Sequence, residues 1–472
     1  MFSMMLAAID QTILAAALPA IAGALGNFAD VSWLASAYLI AATISAPVYG
    51  HLGDRFGRRR ILFVALGIFV LASIACALST SLPMLIAART VQGLGGGGLM
   101  TTSHALIGEQ IPARERGRYQ GYFAAVFAAS STLGPMLGGY LTQHASWRAI
   151  FVINVPLGIL AAWLAYRLPH SPGHREGRFK PDVIGTLLFA LAACLLLFAL
   201  SSAGNRIAWS SPLLLALLAI AALAFVALII WERRAEDPVI PVALLAKASI
   251  LRANLMVMAF AASLFALVLY LPTFFQLARS AGVGESGMLL LPVTLTLACV
   301  GSVTGHLITR TGWLTIMPMV GLSASSVVFG VLAVTLPWLP TGAILVLIAL
   351  GAAGLGTVMS TSQVLVQDEA ERTTLGAATA SLSVSRSFGG ALGAALAGAL
   401  LYLWLGGRDA AFSDALAKFG EHGSQFLETL SAAQREALAT QMTNAFRAVF
   451  TMLALFTAIG AALAYSVPRR RI

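Results

Sequence analysis

The chain has 472 residues and a mass of 49.2 kDa; 59% of its residues are hydrophobic, 10% are charged, and the mean hydropathy is +0.87. About 20 apolar residues cross a hydrocarbon core of roughly 30 Å, and stretches of that length recur along the chain. A soluble multidomain protein is therefore excluded. A transmembrane β-barrel is excluded as well, because residues 213–231 are nearly continuously apolar and do not alternate in polarity.

The net charge of +10 and the isoelectric point near 10 would suit a nucleic-acid-binding protein if the basic residues formed one patch. They do not, because twenty of the 29 lie in seven short segments between apolar runs or at the C-terminus. This is the positive-inside pattern of membrane proteins, in which basic loops remain in the cytoplasm. The charge therefore indicates membrane orientation, and we expect no nucleic-acid partner.

Apolar runs between polar breaks predict an all-α integral membrane protein with fourteen transmembrane helices. Because fourteen is even, both termini should lie on one side, and the tail Arg469–Arg471 places that side in the cytoplasm. The predicted spans are residues 1–22, 33–50, 61–80, 82–107, 118–141, 148–167, 183–202, 212–231, 253–277, 286–308, 314–335, 341–364, 375–405 and 445–467.

An internal repeat indicates how these helices are grouped. The segment Gly50–Gly57 recurs as Gly305–Gly312 at an offset of 255, and three shorter matches keep the same order at offsets of 253 to 261. Six spanning helices with their loops occupy roughly 180 to 200 residues, so a helix pair must be inserted between two six-helix bundles. Parallel repeats of this kind place a transporter's substrate site between the bundles, near the bilayer midplane.

The predicted organisation has three parts. An N-terminal bundle covers residues 1–168, and a linker with two inserted helices covers 169–252. A C-terminal bundle covers residues 253–472 and contains an outer loop at 406–444.

Three ionisable side chains lie well inside apolar spans, namely Asp10, Arg89 and Arg386. A charge inside the membrane costs roughly 2.5 to 3.5 kcal/mol, which makes each a functional candidate. Desolvation favours the neutral acid, so Asp10 is the predicted proton carrier. Its alternative role is structural, in an ion pair or a packing hydrogen bond. Arg89 is the second proton-coupling candidate, because a guanidinium inside the membrane needs a partner, and Asp10 could be that partner. Gln92, on the same helix face as Arg89, and Arg386 are possible substrate or coupling residues.

Two glycine-containing segments are candidates for conformational function. The loop residues Gly50, Asp54, Arg55, Gly57, Arg58 and Arg59 form a predicted gate at the cytoplasmic edge, because topology alone would explain the arginines but not the aspartate or the glycines. Gly134, Pro135, Gly138 and Gly139 form a predicted hinge, because they combine a missing backbone donor with small packing residues.

No cofactor or metal site is predicted. The three cysteines lack metal-ligand spacing, and the glycine run 93–98 lacks the Lys-Ser/Thr pair of a phosphate-binding loop. The N-terminus lacks the basic region of a signal peptide, so the first helix should be retained. Only nine residues precede Asp10, about 13 Å of helix; we expect either an upstream extension or a different start.

Taken in order, these motifs resemble the major facilitator superfamily and, within it, the fourteen-helix drug:proton antiporters. The resemblance rests on Asp10-Gln-Thr-Ile, Ala17-Leu-Pro19, Gly50-x-Leu-x-Asp-Arg-x-Gly-Arg-Arg59, Arg89-x-x-Gln-Gly-x-Gly95, Gly134-Pro-x-x-Gly-Gly139, Trp147-Arg-x-x-Phe-x-x-Asn-Val-Pro156 and Arg386-Ser-Phe-Gly-Gly-Ala-Leu-Gly393. It implies that Asp10 is the first-helix acid, Arg89 the intramembrane arginine and the Asp54 loop the gate.

The sequence departs from the family at Ala15, where asparagine is frequent, and at Ser130, where glycine is frequent. The last six spans contain no acid. Some members of the family that export dications have an acid there, so the resemblance argues against dicationic cargo.

Together, the residues and the resemblance predict proton-coupled efflux of hydrophobic or cationic small molecules by alternating access. The chain should act as a monomer, surrounded by lipid, in a bacterial cytoplasmic (inner) membrane, and should not be an enzyme. A proton-coupled metabolite uptake carrier is the main alternative, although the Gly134–Gly139 element argues against it. A polytopic membrane enzyme and a non-transporting sensor are less favoured, since His104 and Glu109 lack further partners for catalysis.

Overall fold

A computed structural model describes residues 1–26, 31, 33–169, 180–204, 207–405 and 430–467. Within these ranges every long element is an α-helix, which confirms the predicted all-α class. The N-terminal elements are α1 (Phe2–Leu25), α2 (Trp33–Phe56), α3 (Arg58–Ala77), α4 (Leu82–Gln110), α5 (Ala113–His144), α6 (Ala149–Val152) and α7 (Asn154–Tyr166). The central elements are α8 (Val183–Ser202), α9 (Pro212–Glu232) and α10 (Val242–Leu245). The C-terminal elements are α11 (Ala248–Arg279), α12 (Val283–Met288), α13 (Leu291–Thr311), α14 (Ile316–Thr335), α15 (Thr341–Glu369), α16 (Leu375–Leu405) and α17 (Ala432–Ser466).

Twelve helical segments of the described ranges are long and apolar enough to cross a membrane. They do not include α4 and α5, which have 29 and 32 residues but contain a glycine run and a charged first turn, respectively. Glycine and charged residues lower hydropathy without shortening the helix. The prediction of fourteen spanning helices is therefore not confirmed, although the two remaining helices have sufficient length.

The last long helix begins earlier than predicted. Residues 432–444, which we expected in the outer loop, are the first turns of α17. Ser431 and Gln434 cap this end reciprocally, with the Gln434 amide N donating to Ser431 Oγ and the Ser431 amide N donating to Gln434 Oε1. Such a capping box stabilises a helix start that hydropathy alone does not reveal. The remaining loop residues, 406–429, lie outside the described ranges, as does the tail Arg469–Arg471.

The apolar core is divided between the two ends of the chain. One buried cluster draws its residues from Leu244 to Val467, and two others draw theirs from Met4 to Ala165. Close packing of helices within each set explains why glycine is frequent at the crossings. Of the polar residues described below, the pair of Asp10 and Arg89 lies within the N-terminal set, whereas Asp54 contacts the C-terminal set.

The inserted helices α8 and α9 pack against both sets. Phe189 and Leu228 form an apolar cluster with Ile44 of α2 and with Val384 and Phe388 of α16. The segment after α9 adds a polar contact, because Asp237 lies 3.5 Å from His51 Nε2 and 3.7 Å from Arg55 Nη1. The insertion therefore lies along α16 and along α2, which carries residues of the predicted gate.

Candidate functional site

Asp10 and Arg89 form a buried ion pair. Their side chains are 0% and 1% exposed, and Arg89 Nη1 donates to Asp10 Oδ2 at 2.6 Å. They come from different helices, α1 and α4, so the pair joins two elements that are 79 residues apart in sequence. The partnership considered from the sequence is therefore present in the structure.

The second carboxylate oxygen of Asp10 is also saturated. Oδ1 accepts from Gln92 Nε2 at 2.9 Å and from Asn154 Nδ2 at 2.7 Å. Gln92 in turn accepts from Arg89 Nη1 through its Oε1, at 2.7 Å, and donates from Nε2 to Ser73 Oγ, also at 2.7 Å. We call these five residues, Asp10, Ser73, Arg89, Gln92 and Asn154, the acid network.

Sequence reasoning placed three members of the acid network and missed two. Asn154 is a carboxamide in an apolar helix, a signal that a search limited to ionisable residues did not use. Ser73 has no comparable signal, since a single hydroxyl can satisfy itself within its helix, as Ser73 does by donating to the Phe69 carbonyl at 2.8 Å.

Arg89 has aromatic support in addition to its ion pair. Its guanidinium carbon lies 4.4 Å from the centroid of the Tyr38 ring and 5.8 Å from that of Phe151. Cation–π contacts contribute about 0.5–2 kcal/mol each, whereas removing one partner of a buried ion pair costs about 3–5 kcal/mol. The aromatic rings therefore cannot replace Asp10 as counter-charge, and protonation of Asp10 should drive a rearrangement around Arg89.

The hinge segment packs directly on the helix that carries Asp10. A Cβ placed on Gly138 would lie 2.3 Å from the Ile13 carbonyl oxygen, and one on Gly134 would lie 2.8 Å from Thr12 Cβ. Thr12 Oγ1 also donates to the Ser130 carbonyl of α5 at 2.9 Å. The contact lies two and three residues beyond Asp10, so α1 and α5 are in direct contact next to the acid.

The two adjacent hinge glycines provide a matched pair of variants. We expect Gly138→Ala to reduce transport at least tenfold, because its Cβ would collide with backbone of α1, whereas a Cβ at Gly139 meets nothing within 4 Å. Transport per molecule of membrane-inserted protein is the measurement. Equal loss in Gly138→Ala and Gly139→Ala would show that α1–α5 contact is not the reason these glycines are needed.

The predicted gate residue Asp54 joins α2 to the start of α16. Its carboxylate accepts from the backbone amides of Gly376, at 2.9 Å, and Ala377, at 3.2 Å, and from Arg58 Nη2 at 2.5 Å. The amides belong to the first turn of α16, where the helix dipole favours a negative charge. Asp54 thus binds the C-terminal set of helices to the N-terminal set.

Gly50 makes this contact sterically possible. A Cβ on Gly50 would lie 2.5 Å from the Gly376 carbonyl oxygen, and a Cβ on Gly376 would lie 2.3 Å from that of Gly50. Gly57 follows in the left-handed region, with φ of 93°, and starts α3 directly after α2. The glycines of the predicted gate therefore serve a helix crossing and a tight turn.

The three arginines of the predicted gate have different partners. Arg58 is 1% exposed, and it contacts Glu109 Oε2 at 2.9 Å and the Arg372 carbonyl at 3.1 Å in addition to Asp54. Arg59 Nη2 donates to the Tyr166 carbonyl at 2.5 Å. Arg55 faces Asp237 of the central segment. Arg58 therefore belongs to the contact between α2 and α16.

A second contact between the two sets was not predicted. Arg116 Nη1 of α5 donates to the Gln367 carbonyl of α15 at 3.1 Å, and Gln367 Nε2 donates back to the His104 carbonyl at 2.9 Å. Gly117 and Gly305 approach so closely that a Cβ on Gly305 would lie 2.2 Å from the Gly117 carbonyl.

Loss of the Asp54 charge should open this end of the protein. Hydrogen bonds to charged groups contribute about 1.5–3 kcal/mol each, and Asp54→Asn keeps the shape while weakening them. Spin labels on Arg60 and Arg310, which are exposed near this end on opposite sets, would report it as a population of longer distances. The control is Glu115→Gln, which neutralises an exposed carboxylate nearby. Identical distance distributions for Asp54→Asn and the control would show that the Asp54 carboxylate does not hold the two sets of helices together.

Arg386 differs from Arg89 in that none of the described residues accepts a hydrogen bond from its side chain. It is half-buried in α16, and its guanidinium carbon lies 5.8 Å from the Phe127 ring centroid of α5. Among the described residues it makes no hydrogen bond or ion pair with another side chain. One cation–π contact of about 0.5–2 kcal/mol is less than the roughly 2.5–3.5 kcal/mol that a charge at this depth costs. Arg386 therefore faces accessible space between the two sets.

Comparison with known proteins agrees with these elements. Residues 1–394 match the Major Facilitator Superfamily. An uncharacterised transporter of that type from Mycobacterium tuberculosis is 34% identical over 411 residues, which are 86% of this chain and 59% of the relative. The multidrug transporter protein MdtP of Bacillus subtilis is 30% identical over 402 residues, which are 84% of this chain and 73% of that protein. The efflux pump dotC of Dothistroma septosporum is 34% identical over 334 residues, 69% and 57% of the two chains. The chain thus spans about three fifths of the length of some of the relatives it matches.

Solved structures share the fold at low sequence identity. The human organic anion transporter TETRAN superposes with a TM-score of 0.63 over 97% of both chains, at 15% identity. The proton:xylose symporter XylE gives a TM-score of 0.63 over 99% of this chain and 94% of its own, at 14% identity. The match over residues 1–394 and the 30% identity to MdtP show that this multi-pass membrane protein belongs to the Major Facilitator Superfamily of transporters.

Proposed function

We propose that the chain is a proton-coupled exporter of hydrophobic or cationic small molecules. The observation that carries this proposal is the buried pair of Asp10 and Arg89, an acid whose two oxygens are saturated by donors only while it is ionised. A protonated carboxyl turns one of these acceptors into a donor. Protonation therefore disrupts the acid network, and the hinge contact on α1 carries the change to α5.

Alternating access supplies the transport step. In the described state, Asp54 and Arg116 hold the two sets together at one end, and we assign this end to the cytoplasm. Proton binding to Asp10 would break its ion pair with Arg89, so that α1 can move relative to α4 and α5. The contact between Asp54 and α16 would then open. A ligand binds where the two sets of helices face each other, as in other transporters built from parallel repeats.

The names of relatives support the direction of transport. MdtP is named a multidrug transporter and dotC an efflux pump. By analogy, we propose that this chain exports small molecules. We further propose that it has fourteen membrane helices with both termini in the cytoplasm, and that it acts as a monomer in a bacterial cytoplasmic membrane. The Gly134–Gly139 segment resembles an element that marks antiporters in the superfamily, and we therefore propose exchange of cargo for protons rather than cotransport.

Transport direction in everted membrane vesicles tests the proposal. We expect vesicles containing the chain to accumulate the cationic dye ethidium when respiration acidifies their interior, and to lose it when nigericin collapses the pH gradient. Vesicles with Asp10→Asn serve as the control at equal protein content. Proton-driven movement of solute out of such vesicles would instead favour the uptake carrier, and binding without movement would favour a sensor.

A further inference from the structure

The unpaired cation at Arg386 is the starting point for assigning a cargo class, an inference that rests on the proposed export function. A guanidinium cannot lose its proton to escape the cost of burial. In the part of the chain that the structure describes, no carboxylate lies within ion-pair distance of it. Because Arg386 is half-buried and faces accessible space, its charge is open to water and to an anionic solute that enters between the two sets.

The position of Arg386 fits a cargo site. It lies ten residues beyond Gly376 along α16, and at 1.5 Å per residue this is about 15 Å from the Asp54 contact. Half the thickness of a bilayer core is about 15 Å, so Arg386 reaches the midplane. Its nearest aromatic neighbour, Phe127, belongs to the other set of helices.

A second, independent polar group without a partner lies on the N-terminal side. Gln120 is 3% exposed, and its Oε1 is 3.2 Å from His104 Nδ1, whereas its Nε2 has no hydrogen-bond partner within the described ranges. His104 is within electrostatic reach of Arg386 and stacks on Phe123 with ring centroids 4.5 Å apart. Gln120 Nε2 of α5 and the Arg386 guanidinium of α16 therefore both lack an acceptor among the described residues.

The acid network cannot provide this acceptor. Asp10 is fully buried, and both of its oxygens are already used by Arg89, Gln92 and Asn154. The same saturation keeps Asp10 from pairing with a cationic cargo in this conformation. Of Arg89 and Arg386, it is Arg386 that is left to recognise a charged ligand.

We propose that Arg386, assisted by Gln120, binds the carboxylate of an aromatic organic acid as cargo. The planar fork of a guanidinium matches a carboxylate bidentately, and Phe127, Phe123 and the His104 ring offer faces on which an aromatic body can stack. The cargo range would then include lipophilic anions in addition to the hydrophobic compounds of the proposed function.

Calorimetric titration of the full-length protein in lipid nanodiscs tests the assignment, with empty nanodiscs as the blank. The probes are 2-naphthoate and its neutral counterpart 2-naphthamide, which share one aromatic body. We expect the acid to bind at least tenfold more tightly than the amide. Arg386→Gln should remove that preference, Arg386→Lys should retain part of it, and Arg310→Gln, which removes an exposed arginine at the end of α13, should leave it unchanged.

Two outcomes would overturn the assignment: equal affinity of the wild-type protein for acid and amide, or an undiminished preference in Arg386→Gln. Because the titration needs no proton gradient, it is independent of the transport assay. Proton-driven ethidium export without naphthoate binding would refute the anion site and leave the exporter standing. Naphthoate binding without any proton-driven transport would refute the exporter.

Discussion

The Asp10→Asn variant is expected to insert into the membrane at normal abundance and to lose proton-driven export by at least two orders of magnitude. Asparagine has the shape and neutral charge of the protonated acid, but it cannot release a proton. Its Oδ1 can still accept from Gln92 Nε2 and from Asn154 Nδ2, so these two contacts are kept. Arg89, however, loses its counter-charge, and the cycle stops in one protonation state.

A matched control separates this loss from a general effect of neutralising a carboxylate. Glu115→Gln removes an exposed negative charge at the start of α5, whose nearest basic atom, Arg118 Nη2, is 3.9 Å away. Exposed pairs of this kind contribute about 0–1 kcal/mol, so export should remain near the wild-type rate. Survival of drug-challenged cells and dye transport in vesicles are the measurements. Full resistance in cells carrying Asp10→Asn would remove Asp10 from the mechanism.

The Arg89→Lys variant is expected to lower export at least tenfold although the positive charge is kept. Arg89 Nη1 donates to both Asp10 and Gln92, and its plane lies over the Tyr38 ring. A lysine ammonium is a point charge without the planar fork, so it cannot reproduce these contacts together. Transport rate at equal membrane abundance is the measurement.

The pH dependence of transport distinguishes coupling from packing in this variant. If Arg89 only fills space, Arg89→Lys should change the protein's thermal stability but leave the pH profile of transport unchanged. If it sets the protonation of Asp10, the midpoint of the profile should move. Arg310→Lys, at an exposed arginine, is the control for the substitution itself. A wild-type rate and an unshifted profile would assign Arg89 to packing.

The residues of the acid network show which features a sequence reveals. Asp10 and Arg89 could be found because a charge in an apolar run is costly and needs a reason. Ser73 could not be placed, because a single hydroxyl tolerates many environments, and Asn154, although a carboxamide in an apolar helix, could not be assigned to Asp10, which is 144 positions away in sequence. Proximity across that distance is a property of helix packing, which no local pattern encodes.

The gate shows the same limit. The loop from Gly50 to Arg59 was recognisable because its glycines and its aspartate have no role in membrane orientation. Its binding partner was not recognisable, since backbone amides of Gly376 and Ala377 carry no sequence signature and become a binding site only through the start of α16. Hydropathy likewise missed the first turns of α17, which a capping box stabilises in a polar segment.

The measurement that tests the central claim most directly uses purified protein in liposomes. With the voltage clamped to zero by valinomycin and potassium, and with no initial pH difference, an ethidium gradient is imposed and the internal pH is followed. The account predicts that ethidium leaving the liposomes brings protons in through the wild-type protein, and that Asp10→Asn moves no protons. Ethidium movement without a pH change in the wild type, or an equal pH change in Asp10→Asn, would contradict it.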